Sequence, residues 1–542
     1  MRMTNGSLRT PTAHDAPPVL TAEAMQAADR FTIEEYGIPS FTLMESAGRG
    51  CAEVVQSEYG PLDEAAVVVL CGKGNNGGDG LVVARRLCAV GARVHVVLTS
   101  APDALSEDSA HNLSLLRQLQ DEIGPDRLTI DVLDTLGQLT ETVNQLQPRL
   151  YVDALLGTGL TSDLREPVRS LVDWLNDRSA PAVAIDVPTG LHSDTGAVLG
   201  AATEAAHTIT MAAPKGGLYV GEGPQHAGTV TPVDIGIPAF ALDRAAQKSG
   251  CARRTTDAAV ESWWPGRASD AYKYSVGTAM VVGGSARFTG APTMAAQAAA
   301  RSGAGYVTCA GPASVQDTLA NHLPSVPTLP LPEADQGLSP DAADRIAEEQ
   351  PDAILVGPGL GRTADTARFV ERLIETVEQP LVIDADGLNA LADMDADWTT
   401  HAGPHWMLTP HAGEFRRLAG DVDLTDRVRV VQAHARQWNV VLLLKGSPSI
   451  VAGPDGTTYL GSTGTPALAT AGTGDVLAGQ CVGLLAQDLD PLPAAAAALH
   501  LGGAAAQRYA DTRDPRTMTA PDLVNELPRA IRERIGPARR AS

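Results

Sequence analysis

Lysine is scarce in this chain: only five of its 41 basic residues are lysine, at Lys73, Lys215, Lys248, Lys273 and Lys445. Acidic residues number 64, and the net charge of -23 argues against nucleic acid or an anionic membrane surface as a partner. The six cysteines are scattered without a Cys-x-x-Cys pair, which fits a reduced, cytoplasmic protein with no structural zinc. Aromatics make up 4%, so the cores must be filled by Ala, Val and Leu, for which a hydrophobic fraction of 44% is ample. No run of about 18 residues is free of charge or polar breaks, so the sequence predicts no membrane span. The first twenty residues lack an apolar core. Residues 1–19 therefore read as a frayed tail and not as a signal peptide, and a second frayed stretch is expected beyond residue 535.

The chain does have glycine, 53 residues of it, gathered where hydrophobic runs end. The most telling run is Ala471-Gly-Thr-Gly-Asp475, followed by the apolar Val476-Leu-Ala. It reads as a tight turn opening a buried helix, whose first N–H groups and dipole favour an anion. Asp475 stands at the mouth of that anion site. Donors for a phosphate beside one carboxylate base are what phosphoryl transfer to a hydroxyl requires.

From the start, residues 20–52 read as helices with a break at Gly37-Ile-Pro-Ser. Ala66-Val-Val-Val-Leu70 is a buried strand that runs into Cys71-Gly-Lys-Gly-Asn-Asn-Gly-Gly-Asp-Gly80, a helix and a second strand, 92–98. That is a βαβ unit, so a parallel sheet is expected. Gly72-x-Gly-x-x-Gly77 formally matches a dinucleotide fingerprint, but no acid closes the next strand. Asn75, Asn76 and Asp79 suit a polar ligand, or a cation held by oxygens, better than a bare pyrophosphate. Two more strand ends are decorated alike: Leu150-Tyr-Val-Asp-Ala-Leu-Leu runs into Gly157-Thr-Gly-Leu-Thr-Ser-Asp163, and Ala182-Val-Ala-Ile-Asp leads to Thr189. The carboxyl ends of strands in an open α/β sheet form its ligand crevice.

Met44-Glu-Ser-Ala-Gly48, Gly72 to Gly80, Asp153-Ala-Leu-Leu-Gly-Thr-Gly159 and Ile185-Asp-Val-Pro-Thr-Gly190 resemble the NAD(P)H-hydrate epimerase domain. The resemblance implies a Rossmann-like three-layer fold. It implies that Asn75, Asn76, Gly77, Gly78, Asp79, Gly157, Thr158, Gly159, Leu160, Thr161, Ser162, Asp163 and Asp186 hold the hydrated nucleotide. It further implies a potassium ion on Asn76, Asp153 and Thr189, all oxygen donors. Asp186 is the acid/base candidate. Residues 20–240 are assigned to this domain and residues 241–265 to a linker, in which Trp263-Trp264-Pro265 is expected to dock on one of the cores.

A second α/β series follows, with strands at 278–282, 306–310, 353–356 and 380–384 and a small-residue helix from Gly290. The Pro-rich 324–332 stretch reads as a loop. Lys273-Tyr-Ser-Val-Gly, Gly357-Pro-Gly-Leu-Gly361, Asp384-Ala-Asp-Gly-Leu-Asn389, Thr409-Pro-His-x-Gly-Glu414, Lys445-Gly and the Gly-Thr-Gly-Asp run resemble the ADP/ATP-dependent NAD(P)H-hydrate dehydratases, which are ribokinase-like. The resemblance covers about residues 272–534, with Tyr272 where the family usually has His, and residues 266–535 are assigned to this domain. It implies that Ala291, Gly361, His411 and Asp475 contact the hydrate. Lys445, Gly446, Ser447, Pro448, Ser449 and Gly474 would hold ADP or ATP with magnesium. The expected activity is repair: epimerisation of R and S hydrates, then ADP- or ATP-driven dehydration of the S form by a cytoplasmic homo-oligomer. Two rivals remain at this stage, a vitamin-precursor kinase in the second half and a non-catalytic scaffold in the first.

Overall fold

The computed structural model describes residues 16–536, so most of the tail expected at 1–19, and most of the stretch beyond 535, lie outside the described residues. Where 16–19 is described, Pro18–Val19 is a short strand and Ala16 and Val19 are buried. The chain divides into two compact units, residues 17–252 and residues 253 onward together with Ala16.

The first unit is built on a seven-stranded parallel sheet in the order Leu128–Val132, Arg93–Leu98, Ala66–Cys71, Leu150–Ala154, Ala182–Ile185, His207–Met211, Thr229–Val233. Strand Ala66–Cys71 is buried at every position, as its unbroken apolar run requires of a strand covered on both faces. The chain leaves this strand in one direction towards Arg93–Leu98 and returns on its other side at Leu150–Ala154. Strand order thus reverses beside it, and the crevice of such a sheet opens at that point. The expected helices at 20–52 are Ala22–Arg30 and Ser40–Tyr59, joined by a π-helical turn, Phe31–Glu35. Gly48 lets Ser40–Tyr59 close on helix Asn75–Ala89: a β-carbon there would lie 2.4 Å from Cβ of Val82.

In the second unit the parallel strands run Val441–Leu444, Trp406–Leu408, Leu381–Ile383, Ala353–Val356, Thr278–Val282, Tyr306–Pro312, Thr328–Leu331. Ile450–Ala452 and Thr458–Leu460 extend the sheet antiparallel beyond Val441–Leu444, and Arg253 and Arg254 pair with Tyr459 and Leu460. Two readings need correction. The 324–332 stretch contains strand Thr328–Leu331, which tolerates Pro330 because it is the outermost strand of its side of the sheet. The stretch 241–265 is folded and not a plain linker: helix Ala239–Lys248 packs in the first unit and helix Asp257–Trp263 in the second. Trp263 is buried in the second unit's core, edge-on to Tyr459 at 5.2 Å.

Helix Thr473–Leu485 is buried along most of its length against helix Gly290–Arg301. A β-carbon on Gly479 would come 2.1 Å from the carbonyl oxygen of Ala295, and one on Gly483 2.6 Å from that of Ala299. The close approach fixes where the amino end of the helix, and Asp475 with it, stands above the sheet.

Candidate active sites

In the first unit a cavity of about 560 Å³ opens at the reversal of strand order. Its wall includes Asn75, Asn76 and Asp79 from the first turn of helix Asn75–Ala89, Gly157 to Leu160 after strand Leu150–Ala154, and Asp186 after strand Ala182–Ile185. Of the other residues expected there, Gly77 and Gly78 are buried in the helix start, Thr161, Ser162 and Asp163 are exposed, and none of the five lines the cavity. A β-carbon on Gly157 would be 3.3 Å from Asp186 Oδ2 and 3.5 Å from Asn76 Oδ1, so both side chains reach the same spot.

Asp186 adopts a left-handed backbone conformation, φ 70°, uncommon for a residue with a side chain. It is held by its N–H on Ile209 O at 2.8 Å. Its Oδ1 accepts from Lys215 Nζ at 2.5 Å, from Met211 N at 3.3 Å and from Thr210 Oγ1 at 3.4 Å. Oδ2 accepts no hydrogen bond among the described residues. Lys215 is fully buried, and its other bonds go to Met211 O at 2.9 Å and Thr210 Oγ1 at 3.2 Å. Its three protons are committed, so it acts on the cavity through Asp186.

Two further carboxyls face this pair. Burial pushes Asp29 up to about 6, against the pull of Lys215 and with the push of Asp186. Asp79 is driven well above the usual range by burial, then by Asp186 and Asp29. Lys215 and Asp29 were missed by sequence reasoning. The only signal was a rare lysine set between Pro214 and Gly216.

Behind the cavity, the buried Asp153 accepts from Thr189 N at 2.9 Å, Thr189 Oγ1 at 2.7 Å and Leu155 N at 3.2 Å. Burial raises its carboxyl despite these bonds. Both amide atoms of Asn76 are buried and find no partner among the described residues. A buried carboxylate and an orphaned amide oxygen are both donors that suit a hard cation.

In the second unit the glycine turns bring separate strand ends together. Gly284 N donates to Pro358 O at 2.9 Å, and the 357–361 loop packs on Ala291, whose Cβ would be 3.4 Å from a β-carbon on Gly359. Gly361 N donates to Asp386 Oδ2 at 2.8 Å. Lys445 Nζ pairs with the buried Asp384 Oδ1 at 2.7 Å, which Thr409 Oγ1 also meets at 2.8 Å. The same ammonium lies 3.5 Å from where a β-carbon on Gly474 would stand, at the start of helix Thr473–Leu485. Burial works against the charge on Lys445, but Asp384, Glu414 and Asp475 outweigh it and its pKa rises.

Asp475 accepts no hydrogen bond among the described residues. Burial pushes it up to about 7, with Asp384, Asp386 and Glu414 adding to the rise and Lys445 opposing it. His411 caps helix Ala412–Ala419, its Nδ1 accepting from Gly413 N at 2.9 Å and Glu414 N at 3.2 Å, while its ring faces solvent. Glu414 Oε2 in turn accepts from His411 N at 2.8 Å. The Lys273-Tyr-Ser-Val-Gly motif sits elsewhere. It precedes the interior strand Thr278–Val282, with Lys273 Nζ over the rings of Tyr274 and Tyr306 at 4.7 and 4.9 Å and Tyr272 exposed.

A Rossmann-like unit followed by a second α/β unit, each with carboxylates gathered at its strand ends, makes this a two-part α/β enzyme. The family described as YjeF-related protein N-terminus matches residues 40–217, and that described as NAD(P)H-hydrate dehydratase matches residues 279–529. The bifunctional NAD(P)H-hydrate repair enzyme Nnr of Salinibacter ruber is 68% identical over 530 residues, 97% of this chain and 98% of that protein. Its namesake in Moorella thermoacetica is 39% identical over 521 residues, 95% and 96% of the two chains. A crystal structure of the ADP/ATP-dependent NAD(P)H-hydrate dehydratase of Bacillus subtilis, co-crystallised with ATP/Mg2+, is 32% identical, with a TM-score of 0.46 over 52% of this chain and 98% of that one. The chain belongs to the bifunctional NAD(P)H-hydrate repair enzymes, which combine epimerase and dehydratase activities.

Proposed function

We propose that the first unit interconverts the R and S hydrates of NADH and NADPH, and that the second dehydrates the S form at the expense of ADP or ATP. The observation that carries the second half is the carboxylate of Asp475, unpartnered among the described residues, raised to about 7 and set beside the Lys445 ammonium and the glycine turn. A base poised near neutral pH takes a proton most effectively. Asp475 takes the proton of the ring hydroxyl, whose oxygen then bonds to the terminal phosphorus as the bond to the nucleotide's bridging oxygen breaks. The ring nitrogen's electron pair expels phosphate, the neighbouring carbon gives up a proton, and the dihydronicotinamide is restored with AMP or ADP released.

Lys445, the helix N–H groups and the loop 445–449 hold the phosphates and neutralise charge developing on them. Asp384 Oδ2, free of hydrogen bonds among the described residues, and Asp386 supply hard oxygen donors for the magnesium that accompanies a nucleotide. Ala291, Gly361 and the His411 loop line the hydrate side.

In the first unit, Asp186 Oδ2 is the base, with the Lys215 ammonium as its counter-charge, and Asp79, which burial drives well above the usual carboxylate range, or Asp29 is the matching acid. Asn76, Asp153 and Thr189 would hold potassium, which would supply a fixed positive charge in the site. Potassium raising the unfolding temperature of the intact chain, with the rise lost in Asp153→Asn, checks that assignment without an activity readout.

None of the described helices is long and apolar enough to cross a membrane. Six free cysteines agree with a cytoplasmic setting. The reading includes assembly into homo-oligomers, which light scattering measures. The deciding experiment for the dehydratase counts products: each NADH restored must release one free phosphate. A phosphorylated nucleotide accumulating without phosphate release would make the second unit a kinase instead.

A further inference from the structure

Arg427 opens helix Arg427–Trp438, which leads into strand Val441–Leu444 and so begins near that strand's carboxyl end, which carries Lys445. Its guanidinium lies against Gly446. A β-carbon there would fall 2.3 Å from Nη2 and 3.0 Å from both Cζ and Nη1, so only glycine admits the guanidinium at this position. The fork has five N–H donors, and its use within the protein is slight. Nη2 reaches Lys445 O and Nη1 reaches Ser447 O, both at the long distance of 3.4 Å. No carboxylate pairs with Arg427 among the described residues, whereas the neighbouring Lys445 has Asp384. Burial accordingly lowers its pKa. A half-buried guanidinium with weak bonds and no counter-charge is a costly arrangement in the ligand-free protein.

Its surroundings say what would relieve that cost. Arg427 lies against Gly446, the preceding residue, Lys445, carries the ammonium beside Gly474, and Ser449 Oγ closes the loop by accepting from Gly446 N at 3.2 Å. Two cations therefore flank one five-residue loop. We infer that Arg427 is a phosphate-binding residue, whose fork takes two non-bridging oxygens of the adenine nucleotide's polyphosphate as Lys445 takes the transferring group. The inference rests on reading residues 445–449 as the nucleotide loop. Arginine suits the task because its planar fork matches two phosphate oxygens at once, which an ammonium cannot do.

The test measures affinity for ADP and for adenosine in the full chain carrying Arg427→Gln or Arg427→Lys, with ligand-free unfolding temperature alongside. Charge-assisted bonds to phosphate predict that Arg427→Gln weakens ADP binding by about 10- to 100-fold, leaves adenosine binding unchanged, and is only partly rescued by Arg427→Lys. Equal weakening of ADP and adenosine would mean that Arg427 only locks the loop, and unchanged ADP affinity would mean that phosphate does not reach it. Either result overturns the inference while the nucleotide loop stands. If the unaltered chain bound ADP no better than adenosine, the nucleotide reading itself would fall, and this inference with it.

Discussion

A carboxyl raised to about 7 by burial and by Asp384 titrates where the dehydratase must work. The base is competent only when ionised, so the rate of dehydration should rise with pH up to about 7 and level off above it. Below that value it should fall about tenfold per pH unit. Asp475→Asn removes the base and the limb together, lowering turnover about 10²- to 10⁴-fold while ADP affinity and unfolding temperature hold. A pH limb that survives in the variant would assign the titration to another group. The same logic at the other site concerns Lys215, the buried counter-charge of Asp186. Lys215→Met leaves Asp186 facing Asp29 and Asp79 without a cation, and epimerisation should drop by roughly two orders of magnitude, with partial recovery in Lys215→Arg and dehydration unaffected. Normal epimerisation in the Met variant would make Lys215 a packing residue. Asp475, Asp186 and Lys445 were legible in the sequence because each sits in a glycine-marked strand end. Lys215 and Asp29 were not, because one follows the strand His207–Met211 and the other belongs to the first helix, and only the folded sheet brings them together.

The elements that were easy to read are those whose pattern is set by burial on both faces: Ala66–Cys71, Ala182–Ile185 and Ala353–Val356 are unbroken apolar runs. Thr328–Leu331 was hidden because prolines mask its strand character, and only its place at the outside of the sheet makes Pro330 acceptable. The two helices that overlap 241–265 span only ten and seven residues, too few turns for a period to stand out in the sequence. What the sequence did not announce was the role of Gly479 and Gly483. They look like helix-weakening residues, yet they let helix Thr473–Leu485 touch the backbone of Gly290–Arg301. Gly479→Ala should therefore destabilise the second unit by about 1–3 kcal/mol, because the new methyl meets the Ala295 carbonyl and one helix must move. Thermal unfolding measures the loss, and dehydration should weaken with it as Asp475 shifts. An unfolding temperature equal to or above that of the unaltered chain, as helix propensity alone favours, would contradict the packing argument.

Each unit has its own sheet, its own core and its own complement of site residues. Fragments 1–252 and 253–542 should consequently each fold and retain one activity, epimerisation in the first and dehydration of the S hydrate in the second; a fragment that folds but has no activity would show that the division of labour needs the whole chain. The central claim is sequential repair, in which the R hydrate reaches NADH only by way of the first unit. It is tested most directly by giving a mixture of R and S hydrates of NADH, with ADP, to the full chain and to Asp186→Ala, and following the near-ultraviolet absorbance of the reduced nicotinamide. The unaltered chain should restore the absorbance of the whole mixture, and Asp186→Ala should stop at the share contributed by the S hydrate, with the remainder returning only at the uncatalysed rate. Complete and equally fast recovery by Asp186→Ala would contradict the account.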